Sequence, residues 1–84
     1  MVIERMRDPA AVYARFAEKG RMLPDGVEYV NSWVEPDRTR CFQLMRCDER
    51  SQLDAWTANW SDLADFEVIP VITSVEAAAM SESK

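Results

Sequence analysis

The sequence predicts an α+β domain in which a four-stranded antiparallel sheet carries two helices on one face. Two observations predict it. Runs rich in β-branched and aromatic residues alternate with two stretches of helical periodicity, in the order strand, helix, strand, strand, helix, strand. The connections between them are short enough for one compact unit, and a chain of 84 residues suits a single small domain. At 48% hydrophobic residues with only two glycines, there is enough apolar surface to offset chain entropy. The domain is expected over residues 1–73, with 74–84 as a tail that frays or forms a short terminal helix.

Met1 to Met6 reads as a strand. Asp8 and Pro9 then supply a cap and a first helical residue. The following helix sets Val12, Tyr13, Phe16 and Ala17 on one stripe and ends near Gly20 to Met22. Leu23-Pro-Asp-Gly26 must reverse the chain. Val27 to Val34 and Arg40 to Cys47 form a hairpin across the polar breaker Glu35 to Thr39. In the second helix Ser51 and Asp54 resemble a capping box, and Leu53, Trp56, Thr57 and Trp60 recur at helical steps as its core stripe. Phe66 to Ile72 is the last strand; Pro70 cannot donate to a ladder, which assigns it to a sheet edge or a bulge. This βαββαβ order is the ferredoxin-like arrangement.

Charge and composition narrow the function classes. Fifteen acidic against ten basic residues give a net charge of −5, a field that repels phosphate backbones and anionic headgroups, so neither nucleic acid nor a membrane is an expected partner. No apolar run has the length of a spanning helix, and Glu4 and Arg5 interrupt the place a signal peptide would need. There is no histidine, which removes the usual proton shuttle and the commonest metal ligand. Asp62 and Asp65 are a weak metal pair, better read as helix-end and solvated residues, and no metal or cofactor is expected. Cys41 and Cys47 sit six residues apart on one extended strand, roughly 20 Å, too far for a disulfide. Two free thiols point to a reducing, cytoplasmic setting, and they read as core residues rather than nucleophiles.

The strands do not alternate cleanly, so both faces of the sheet are largely apolar. A second copy is the simplest cover for the face without helices, which predicts a homodimer with facing sheets. Taking Val30, Val34, Phe42, Leu44, Phe66 and Val68 as the helix-packed set leaves Glu4, Asn31, Gln43 and Glu67 among Tyr29, Trp33, Cys41, Met45 and Ile69 on the other face. Glu4, Tyr29, Asn31, Trp33, Gln43 and Glu67 are therefore candidate ligand contacts between the sheets. Two readings stand side by side. In one, the polar groups hydrogen-bond across the dimer while Glu4 and Glu67 pair with Arg5 or Arg40 at a wet rim; in the other, they line a pocket for a small apolar or aromatic molecule.

Gly20-Arg-Met-Leu-Pro-Asp-Gly-Val-Glu-Tyr-Val-Asn-Ser-Trp33, Cys41-Phe-Gln-Leu-Met45, Trp60-Ser-Asp-Leu-Ala-Asp-Phe-Glu-Val-Ile-Pro-Val71 and Val2-Ile-Glu-Arg5 resemble domain-of-unknown-function family 3303, short bacterial proteins. The resemblance implies a dimeric α/β barrel and brings no established activity. Similar architectures include cofactor-independent monooxygenases and isomerases, so an enzyme using Glu67 or Glu4 as a buried base is the alternative to a binding domain without catalysis. Many such enzymes use an acid-base histidine, which this chain lacks.

Overall fold

The computed structural model describes residues 1–82. Its elements are β1 (Val2–Met6), α1 (Pro9–Lys19), β2 (Val27–Val34), β3 (Arg40–Cys47), α2 (Arg50–Ala58), β4 (Ala64–Val68) and α3 (Ser74–Glu82). The strands form one antiparallel sheet in the order β2-β3-β1-β4, an α+β arrangement consistent with the ferredoxin-like expectation. As the sequence predicts, Pro9 opens α1, and Asp8 caps it by accepting from the Ala11 amide at 3.2 Å.

Register decides which side chains meet the helices. Val2, Met6, Val27 and Cys41 pack with Val12, Leu53, Trp56 and Trp60 in the core, with Met45, Cys47, Phe66 and Val68 against its margin. The expected face assignment is therefore reversed for β3. Cys41, Gln43 and Met45 point to the helices, while Phe42 and Leu44 lie on the open face. β3 alternates regularly, and its Gln43 turns inward to donate to the buried Glu4; in β2, pairing jumps from Tyr29 opposite Met45 to Asn31 opposite Leu44, leaving Val30 as an inserted residue. Such a bulge flips side-chain parity, so Val27, Tyr29, Ser32 and Val34 share the helix side while Asn31 and Trp33 face out. Only Val34, Phe66 and Val68 of the expected helix-packed set belong there.

The second helix begins on a different cap from the one its sequence suggests. Glu49, not Ser51, is the capping residue, and Gln52 Oε1 accepts from the Asp48 and Glu49 amides, both at 3.1 Å. The same glutamine explains Gly26. With φ of +88°, a Cβ there would lie 2.1 Å from Gln52 Nε2. Gly26→Ala combines backbone strain with loss of the α2 cap, and should cost about 1–3 kcal/mol by urea denaturation. Gly26→Ala at wild-type stability would show that neither constraint is real.

β4 starts two residues earlier than expected and stops at Val68, pairing only with β1 at the sheet edge. Pro70 lies beyond it, as its missing amide requires. α3 is locally encoded: Thr73 Oγ1 accepts from the Glu76 amide at 3.0 Å, and Glu76 Oε1 accepts from the Thr73 amide at 3.3 Å. Yet none of its residues from Ser74 to Ser81 is buried, and Val75 is 79% exposed. Ser83 and Lys84, the end of the expected tail, lie outside the described residues.

Candidate ligand-binding site

A cavity of about 230 Å³ lies between the sheet and the helices. Its floor is the helix side of the sheet: Glu4 and Met6 from β1, Ser32 and Val34 from β2, Cys41 and Gln43 from β3, and Phe66 from β4. Its roof is Val12, Tyr13 and Phe16 from α1, Arg21 from the following loop, and Trp56 and Trp60. The space exists because α1 is tied sideways rather than pressed down. Arg15 reaches both carboxylate oxygens of Asp62, at 2.7 and 2.6 Å, and donates to the Asn59 carbonyl at 3.1 Å. Arg38 sits over the Tyr13 ring. Beside Met6 and Phe66, the floor offers the small or polar side chains of Glu4, Ser32, Val34, Cys41 and Gln43 where a filled core would need large apolar ones. Of the predicted stripe, only Val12 is buried; Phe16 remains 40% exposed.

The polar pair at the floor is the chemical feature of the site. Glu4, 6% exposed, accepts from Gln43 Nε2 at 3.2 Å. Glu4 Oε2 and Gln43 Oε1 have no protein partner among the described residues. Among the described residues no side-chain polar atom sealed from solvent lacks a partner, so both atoms open on the cavity their residues line. Burial pushes the Glu4 carboxyl above the usual carboxylate range. Burial, with the nearby Glu4 charge, pushes the Cys41 thiol up to about 11, which leaves it a poor nucleophile at neutral pH. Both cysteines are free thiols.

The Glu4 shift has a sign that can be checked. Between the ordinary carboxylate value of the unfolded chain and the raised folded value, the native state holds more protons, so stability falls as pH rises through that window. Glu4→Gln removes this slope and leaves all other carboxylates unchanged. The variant should gain on wild type in urea titrations as pH rises from below the ordinary carboxylate value to above it. A stability difference that stays constant across that range would contradict a buried carboxyl.

The family model described as a domain of unknown function (DUF3303) matches residues 1–84. The chain belongs to the DUF3303 family. No curated protein and no solved structure matches it.

In this DUF3303 chain the six candidate contacts part company. Glu4 and Gln43 come together in the cavity, on the helix side rather than between two sheets. Tyr29 points the same way, but its hydroxyl is hydrogen-bonded to Ser32 at 2.6 Å and its ring does not line the cavity. Asn31, Trp33 and Glu67 are exposed on the open face, and Trp33 is 52% exposed. Neither Glu4 nor Glu67 forms an ion pair with Arg5 or Arg40; Arg40 instead holds Glu35 through two hydrogen bonds, at 2.6 and 2.9 Å. Asp62 and Asp65 separate to Arg15 and Arg7, and among the described residues no cluster of three acidic or thiol groups is placed to hold a metal ion.

Sequence reasoning missed the roof. Tyr13, Phe16, Trp56 and Trp60 recur at helical spacing, and that spacing is the same whether a stripe fills a core or lines a gap. Arg21 carries no signal in its neighbours. Structure fixes it by anchoring the backbone: the Trp56 and Trp60 indoles both donate to its carbonyl, at 2.9 and 3.0 Å, and Asn59 donates to the Met22 carbonyl at 3.1 Å.

Proposed function

We propose that this chain is a small homodimeric domain that binds a small apolar or aromatic molecule in the cavity between its sheet and its helices. The observation that carries the binding half is a buried carboxyl and amide, Glu4 and Gln43, with free polar atoms at the floor of an apolar, aromatic-roofed space. A few convergent polar groups in an apolar lining is the usual makeup of a small-molecule pocket. An apolar cavity of about 150 Å³ admits benzene, so about 230 Å³ suits one substituted ring.

The dimer half rests on the open face. Ile3, Phe42, Leu44 and Trp33 make an apolar centre, rimmed by the Glu28–Arg46 pair on one side and by Arg5, Asp65 and Glu67 on the other. An apolar centre with a charged rim is the anatomy of an interface, and a two-fold axis lets one patch cover its copy. The exposed Val71, Ile72, Val75 and Met80 of the C-terminal arm are further surface for the second copy to cover.

Calorimetric titration with phenol tests the binding half. Saturable heat at one site per chain is expected, and Val34→Phe, which fills the cavity from the floor, should abolish it. Absence of saturable heat with wild type would refute the assignment.

The free Glu4 oxygen also supports a second reading, a cofactor-independent isomerase in which Glu4 moves a proton and Gln43 orients the substrate. It predicts that wild type, but not Glu4→Gln, shifts the double bond of 3-cyclohexenone into conjugation. Equal rates for both would exclude Glu4 as the base.

A further inference from the structure

The cavity holds one side chain that the proposed function leaves unused. Among the described residues that line it, Arg21 is the only cation. Its guanidinium carbon lies 3.6 Å from the Tyr29 ring centroid and 5.0 Å from that of Phe16. Stacking of this kind holds the plane of the group by its faces and leaves the N–H edge unoccupied.

Among the described residues the edge has no hydrogen-bond acceptor. Arg7, Arg15, Arg40, Arg46 and Arg50 each hold a carboxylate. Among the described residues Arg21 holds none, in a chain with fifteen acidic side chains against ten basic ones. Nor is its position incidental, since the two buried indoles that donate to its carbonyl fix its backbone beside the roof they form. A guanidinium that lines a cavity and holds no carboxylate of the protein is matched by a planar, two-oxygen anion, to which it can donate two parallel hydrogen bonds.

We infer that the ligand is a small aromatic carboxylate, its carboxylate on the Arg21 guanidinium and a hydroxyl or carbonyl at its far end on Glu4 and Gln43. This rests on the reading of the cavity as a ligand site and adds the chemical class. The polarity of the cavity supports the orientation, because a carboxylate at the Glu4 end would face a second acidic group, whereas a hydroxyl there can donate to the ionised carboxyl or accept from the protonated one.

The test compares 4-hydroxybenzoate with its neutral isostere 4-hydroxybenzamide by calorimetric titration at pH 7. Wild type should bind the carboxylate at least tenfold more tightly. Arg21→Gln should bring the two to within about twofold. As a check that does not depend on the variant's folding, raising salt should weaken wild-type binding of the carboxylate and not of the amide, because a charge pair near the surface is screened. Equal affinity of wild type for the two compounds, or an undiminished preference in Arg21→Gln, would overturn the Arg21 assignment and leave the cavity reading standing. Binding of neither compound, nor of phenol, would overturn both.

Discussion

Trp56→Ala is expected to be the most destabilising single truncation in the chain. Trp56 is 2% exposed, tilts against Phe66 with ring centroids 6.3 Å apart, and donates its indole N–H to the Arg21 carbonyl. Truncating a buried tryptophan costs about 3–5 kcal/mol. A domain of this size has a total stability of about 4–13 kcal/mol, so the variant loses a large share of it. Thermal unfolding followed by circular dichroism should show Tm lower by at least ~12 °C. The loss should reach the site too, since the indole is both roof and anchor of the loop that carries Arg21. A fall in Tm of only a few degrees would mean that Trp56 is not a keystone of the core.

The second large effect is expected on the opposite side of the sheet. Leu44 lies on the open face beside Phe42 and opposite Asn31, away from the helices and from the cavity. Leu44→Asp places an unpaired charge at the centre of the proposed interface, where burying it without a partner costs on the order of several kcal/mol. Sedimentation velocity should find wild type at twice the mass of the chain. The variant should sediment as a single chain, with the helix-side core and the phenol site retained. A wild-type protein that sediments as a monomer at micromolar concentration would remove the dimer from the account, and a dimeric Leu44→Asp would move the interface elsewhere.

The order of elements was legible because it rests on local signals. Asp8-Pro9, the turn at Leu23 to Gly26, the breaker between the hairpin strands and the proline after β4 all act over a few residues. Face parity in β2 was not legible, because it depends on a bulge. Val30 looks like any β-branched strand residue, and only the pairing of Tyr29 with Met45 and Asn31 with Leu44 shows that it is inserted. The second obstacle was chemical. The rule that apolar side chains go inward favours Phe42 and Leu44 over Cys41 and Gln43, and it fails where Glu4 and Gln43 are buried together. Sequence rules are expected to fail at functional sites, where local preference is overridden for chemistry. The sequence therefore places Glu4 and Gln43 on the face away from the helices, whereas they lie on the helix side, and nothing in it marks Arg21, whose backbone is held by two indoles far along the chain.

The central claim is that the space between sheet and helices, not the open face, receives the ligand. The three tryptophans divide between these places: Trp56 and Trp60 roof the cavity, and Trp33 lies on the open face. Titration of the ¹⁵N-labelled protein with phenol, followed through the indole N–H signals, separates them in one experiment. The account predicts saturable shifts of the Trp56 and Trp60 signals with Trp33 unmoved. A shift confined to Trp33, or no saturable shift of any indole, would contradict it.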